Sequence, residues 1–167
     1  MREEWWQALV APALCRTFRL TPEHLHAEVK TEDGSIIDLV HMDRQQVTGF
    51  ELKVATPGEV LQPLNARALR QLRHFRQACN AVYLVTLAAP RSLELNAEGR
   101  VLVHEPLEAQ LLPDGVGWAV FDRLSHEVIV LRQAPRLEPK RSARSFIINQ
   151  LTSRLGRARR AVEGCRI

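Results

Sequence analysis

The run AVYLVTLA, residues 81–88, carries no charged side chain and is closed off by Pro90. An uncharged, almost wholly apolar run of eight residues is short for a helix and suits a strand buried in the interior of a sheet. Such a strand needs neighbours and covering helices, so the elements around it decide the architecture. Immediately before it, LQPLNARALRQLRHFRQACN (61–80) is amphipathic, with Leu64, Leu69, Leu72, Phe75 and Cys79 near one face. Upstream, LHAEVKT (25–31) alternates as a strand, Glu32-Asp33-Gly34 signals a turn, and SIIDLVHM (35–42) is a second strand. The polar DRQQ (43–46) turns the chain into a third strand, VTGFELKVA (47–55), which Pro57-Gly58 ends.

The opening stretch EEWWQALVAPALCRTFRL (3–20) places Trp6, Leu9, Val10, Ala13 and Leu14 at helical spacing, with Pro12 as a kink and Thr21-Pro22 as a stop. Beyond Pro90, RVLVHE, GWAVFDR and HEVIVLRQA read as three further short strands, and LEAQLL (107–112) fits either a helical turn or a loop. After Pro135 and Pro139, SARSFIINQLTSRLGRARRA (142–161) reads as a basic helix with Phe146, Ile147, Leu151 and Leu155 as its apolar stripe. Helix, three strands, helix, strand and then more strands define an α/β protein with a mixed sheet and helices on both faces. The expected organisation is one main unit over residues 1–135 and a basic C-terminal helix or tail over 136–167.

With 46% apolar and 25% charged residues, the 167-residue chain has the composition of a globular protein and enough length for a substantial core. There is no basic segment followed by an apolar one at the N-terminus and no apolar run of membrane-spanning length, so a cytoplasmic protein without a membrane partner is expected. Cys15, Cys79 and Cys165 are far apart and form no C-x-x-C pair, which suggests reduced thiols and gives no support to a zinc knuckle. The net charge of +4 is uneven: Arg136 to Ile167 holds nine Lys/Arg against Glu138 and Glu163. A basic tail on a mildly acidic body points to a polyanionic partner such as nucleic acid. Lys140, Arg141, Arg144, Arg154, Arg157, Arg159 and Arg160 are the candidate phosphate contacts there. Arg67, Arg70, Arg73 and Arg76 recur every three residues along the first amphipathic segment after Pro57, where they either track a phosphate backbone or form a solvated face. No phosphate-cradling glycine loop or nucleophile elbow is present.

One feature resists a purely structural reading: GFELKVA (49–55) sets Glu51 and Lys53 two positions apart within an apolar strand. A hairpin centred between Arg44 and Gln45 pairs residues whose numbers sum to 89, so Asp38 faces Glu51, and Glu51, Lys53, Asp38 and Val40 share a side. The other side would carry Ile37, Leu39, His41, Phe50, Leu52 and Val54. Two carboxylates directly opposed repel each other, and a divalent cation between them relieves this. If the turn at Asp33 pairs the first two strands, Glu28 opposes Asp38 as well.

An Asp on one strand followed by E-x-K on the next resembles the PD-(D/E)xK nuclease superfamily, the restriction-endonuclease-like fold with its αβββαβ order. The matching residues are Asp38 and Glu51-Leu52-Lys53, thirteen positions from Asp to Glu, with Ile37 where the family name has proline. The helix and strand QLRHFRQACNAVYLVT match the elements that follow. PDGVGWAVFD with EVIVLRQAP is similar to the end of small DNA-repair-type members of the MmcB-like group, so the resemblance covers about residues 23–137.

The resemblance implies Mg²⁺-dependent hydrolysis of DNA phosphodiester bonds, with Mn²⁺ able to substitute. It implies Asp38, Glu51 and the Leu52 carbonyl as metal ligands and Lys53 as the residue that orients water or stabilises developing charge. Glu28 is a further acid of the kind related nucleases carry, as ligand or water-positioner, with Glu4 in second place. Gln71 matches the polar helix position near the family's site. A homodimer is a possibility the family allows, and the alternative is an inactive nucleic-acid-binding or protein-docking module on the same fold. His24-x-His26 is a separate candidate metal pair, and Trp5-Trp6 a helix-core or docking feature.

Overall fold

The computed structural model describes residues 3–54, 66–88, 93–95, 101–103 and 112–164, and side chains over 7–53, 67–86 and 112–156. Helix α1 (Glu3–Phe18) and a single 3-10 turn (Pro22–His24) lead into β1 (Leu25–Lys30), β2 (Ile36–Asp43) and β3 (Gln46–Val54). Helix α2 (Ala66–Ala78) and β4 (Ala81–Ala88) follow, then β5 (Leu93–Leu95), β6 (Val101–Val103), β7 (Val116–Asp122), β8 (Glu127–Arg132) and α3 (Arg141–Gly164). Six strands form one sheet in the order β1-β2-β3-β4-β7-β8, and β5 and β6 pair separately. The three central strands β3, β4 and β7 are mutually parallel and the outer pairings antiparallel. The α/β class, the αβββαβ order and the mixed sheet with helices on both faces are as the sequence indicates.

The β2–β3 hairpin turns on Arg44 and Gln45, both with left-handed φ (44° and 72°), the backbone that matches the twist of two-residue hairpins. Its pairs run from Asp43–Gln46 to Leu39–Phe50, the register expected from the sequence. β1 pairs with β2 in the register that would put Glu28 opposite Asp38, but the ladder steps over that position, where Glu28 has φ +50°.

Both faces of the sheet are buried. Val10, Ala13 and Leu14 of α1 pack with Leu39, Phe50, Tyr83, Val85, Ala119 and Phe121 on one side. Phe18 closes this layer edge-on against Tyr83 and Phe50, at ring separations of 4.7 Å and 5.4 Å. On the other side Leu72 and Phe75 of α2 and Ala143, Ile147 and Leu151 of α3 join Ile37, Val40, Val82, Leu84 and Trp118. Each of the fully buried large side chains contributes roughly 1.5–3 kcal/mol by leaving water. Leu39 and Ile37, expected on one face, lie in different layers. Strand alternation slips between them, next to the kink at Glu28 and where β2 stops pairing with β3.

Phe146, expected on the α3 stripe, is 41% exposed, because the i, i+4 row Ala143–Ile147–Leu151 is the one turned inward. Leu64, the Trp5-Trp6 side chains and all of LEAQLL but Leu112 lie outside the described residues. Side chains from the helices occupy both sheet edges, which would otherwise offer free backbone groups. The Gln150 amide accepts from the Lys30 N–H at 3.3 Å and donates to its carbonyl at 3.4 Å. On the far edge Thr17 and Arg16 donate to the carbonyls of Val128 and His126, at 3.1 Å and 2.9 Å.

Candidate functional site

β3 lies inside the sheet between β2 and β4 and carries Glu51, only 2% exposed. Alternation places Glu51 and Lys53 on the face of Gly49, where an added Cβ would meet Cys79 Sγ at 3.1 Å. That is the face covered by α2. Across the parallel pairing, Glu51 lies beside Leu84 and Lys53 beside Thr86. Thr86 is itself buried, and its hydroxyl accepts the indole N–H of Trp118 at 3.0 Å. The pair therefore sits toward the C-terminal ends of parallel strands, the end at which open α/β sheets hold their ligands.

Lys53 Nζ donates to Glu51 Oε1 at 2.6 Å, with the lysine side chain 37% exposed and the glutamate 3%. Glu51 Oε2 is buried with no hydrogen-bond partner. Beside it β2 leaves the ladder, and Asp38 Oδ2 instead accepts the backbone N–H of Leu52 at 2.7 Å. Burial, and after it the Asp38 charge, push the Glu51 carboxyl up to about 7 against the opposing pull of Lys53. A buried carboxylate opposed by a second one is destabilised in its charged form, and one lysine only partly offsets this. The chemistry available is an oxygen-rich, net-negative pocket with a cation donor at its rim.

Asp38, Glu51, Lys53 and the Leu52 backbone are thus brought together. Glu28 is exposed and held through its backbone: Arg154 donates to the carbonyls of Ala27 and Glu28 at 2.9 Å and 3.0 Å. Among the described residues no group of three or more His, Cys, Asp or Glu side chains is arranged to hold an ion. Gln71 is half-buried on the flank of the Ala68–Leu72–Phe75 stripe of α2, and the Glu4 side chain lies outside the described residues.

Arg67, Arg70 and Arg73 are exposed on α2, and Lys140 and Arg141 at the start of α3. Three-residue spacing drifts about 60° per step around a helix, so Arg76 has turned inward, with its guanidinium about 3 Å from where a Gly115 Cβ would sit. Arg144 is half-buried with its Nε enclosed, and Arg154 is engaged with β1. The side chains of Arg157, Arg159 and Arg160 lie outside the described residues.

Three polar features escaped the sequence reading. Thr86 and Trp118 form the wall beside Lys53, and the threonine was legible as the one aliphatic hydroxyl in an otherwise hydrophobic strand. Asn80, 7% exposed, accepts the Val47 N–H at 2.9 Å through Oδ1 and donates its own N–H to the Val47 carbonyl at 2.7 Å, pinning the end of α2 to β3. Asp33 in the β1–β2 turn pairs with His74 of α2 and is bonded to Thr31 and Ser35. These bonds hold its carboxyl down at about 2, despite the opposing effect of burial. No local pattern marks the Asn80 clamp or the Asp33–His74 pair, because those partners are distant in sequence.

Fold and site together define an α/β protein with a mixed six-stranded sheet and a buried Glu–Lys pair beside a second carboxylate. No family model and no curated protein matches the sequence. Among solved structures it is similar to SPO1766, a protein of unknown function from Silicibacter pomeroyi, with a TM-score of 0.55 and 15% identity over 92% of this chain and 88% of that one. A second match is the SfsA protein of Pyrococcus furiosus in complex with Ca²⁺, with a TM-score of 0.38 and 14% identity over 73% of this chain and 60% of that one. At such identities the first likeness speaks for the fold alone.

Proposed function

We propose that the chain is a metal-dependent nuclease that hydrolyses phosphodiester bonds of DNA. The observation that carries this reading is Glu51. It is buried, its Oε2 lacks a partner, a second carboxylate opposes it, and Lys53 is bound to its other oxygen. An orphaned buried carboxylate oxygen beside Asp38 fits a hard divalent cation, which prefers oxygen ligands. Asp38, Glu51 and the Leu52 carbonyl would hold Mg²⁺ or Mn²⁺, with Glu28 as an outer ligand or water-positioner. When bound, the ion supplies polarisation of a phosphoryl oxygen and a more acidic water.

The protein's own part is charge and position. The Lys53 ammonium, anchored on Glu51 and open to solvent, donates toward the phosphate oxygens where negative charge grows. Gln71 on α2 contributes a polar group next to the reacting phosphate. Arg67, Arg70, Arg73, Lys140 and Arg141 give the α2–α3 layer exposed cations for backbone phosphates. The test is an end-labelled cleavage assay on single-stranded, duplex and branched DNA with Mg²⁺ or Mn²⁺. Cleavage that disappears in Lys53→Ala and Asp38→Ala is expected; intact substrate of every kind with both metals would refute it.

A further inference from the structure

Away from the carboxylates, the hairpin carries a second group of potential ligands. His24 ends the 3-10 turn before β1, and its neighbour Leu25 pairs with His41 of β2. The two imidazoles lie 6.1 Å apart between ring centres, tilted by 43°. His41 is 8% exposed. His24 Nδ1 and His41 Nε2 are both buried without a hydrogen-bond partner. A buried ring nitrogen left unpaired is costly, and native proteins satisfy such groups with protein, water or an ion.

We propose that His24 and His41 form a binding site for a borderline divalent transition-metal ion of the Zn²⁺ type, distinct from the Asp38–Glu51 pair. Two metal–nitrogen bonds of about 2.1 Å, with the added reach to each ring centre, hold two rings roughly 5 Å apart on a tetrahedral ion, so the pair at 6.1 Å would draw together by about 1 Å on binding. Imidazole nitrogen selects Zn²⁺, Ni²⁺ or Cu²⁺ and discriminates against Mg²⁺, which takes oxygen. Burial first, and then the charge of the other ring, favour the neutral form of His41 that a metal requires; Asp43 acts in the opposite direction. Since no third side chain is arranged there, water completes the shell. His26 Nε2 is also buried without a partner, and burial, then Arg154, His24 and His41, favour its neutral form, but among the described residues the three imidazoles do not form a three-ligand group. The bound ion would tie the 3-10 turn to β2, the strand that carries Asp38.

The experiment is calorimetric titration of Zn²⁺ into the full-length Asp38→Asn, Glu51→Gln double variant, which lacks the carboxylate pair. One equivalent should bind, with affinity at least tenfold weaker after His24→Ala or His41→Gln, while Mg²⁺ gives no heat. His24→Ala alters a half-exposed surface position, so a folded variant is available even if His41→Gln fails to fold. No Zn²⁺ heat, or an isotherm unchanged by His24→Ala, would overturn the proposal. Because the parent lacks the proposed nuclease ligands, the outcome is independent of whether the protein cleaves DNA.

Discussion

Asp38 Oδ2 accepts the backbone N–H of Leu52 at 2.7 Å, one residue beyond Glu51, where continued pairing would have supplied a β2 carbonyl. A side chain therefore replaces the ladder at the place where the two strands separate. The separation brings the Asp38 carboxylate close enough to Glu51 to raise its proton affinity. The Lys53 ammonium, bonded to Glu51 Oε1, offsets this in part.

Without metal, this crowding makes stability depend on pH. The Glu51 carboxyl titrates at about 7 when folded against 4.5 for the ordinary group. Its favourable contribution is complete below pH 4.5 and is lost as pH rises through 7. The metal-free protein should melt lower at pH 8 than at pH 5.5, and Glu51→Gln should remove most of that difference. Thermal melts of both proteins at the two pH values check this; parallel curves would contradict it.

Asp33 acts in the opposite sense. Its folded value of about 2 lies below the ordinary 3.8, so its contribution is present above pH 3.8 and fades as pH falls toward 2. Asp33→Asn should therefore lower the melting temperature clearly at pH 6 and by much less at pH 2.5. Equal losses at both would show that the turn carboxylate is not held by its partners.

Gly117 on β7 has no room for a side chain. A Cβ there would lie 2.5 Å from the Tyr83 ring and 2.7 Å from the Ala134 nitrogen. Gly117→Ala should cost roughly 1–3 kcal/mol, as overpacking of a close-packed core does. Denaturant unfolding measures the cost; a loss under a few tenths of a kcal/mol would contradict this packing.

Arg154 and Arg141 should separate structural from phosphate-contacting arginines. Arg154→Ala removes two bonds to β1 carbonyls and should destabilise by about 1–3 kcal/mol. Arg141→Ala, at an exposed position, should leave melting unchanged but reduce the salt slope of DNA binding by about 1. Melting curves and binding titrations across salt concentrations distinguish the two.

The sequence made most of this architecture legible because the controlling signals are local. The charge-free AVYLVTLA forms an interior strand as its pattern suggests, and DRQQ sets the hairpin register, which runs as far as Leu39–Phe50, next to Asp38 and Glu51. What it could not supply depends on three-dimensional context. Opposite the left-handed backbone of Glu28, alternation on β2 slips, and Ile37 and Leu39 separate onto two faces. The use of Arg154 by β1 and the Asn80 clamp on Val47 join residues more than thirty positions apart, which no periodicity records.

The most direct test of the central claim is calorimetric titration of Mn²⁺ into wild type, Asp38→Asn and Glu51→Gln at pH 7.5. Wild type should bind one ion that both variants lose by at least tenfold, because the buried carboxylate pair supplies the ligands. Wild type that binds no Mn²⁺, or binds it equally well after both substitutions, would contradict the account.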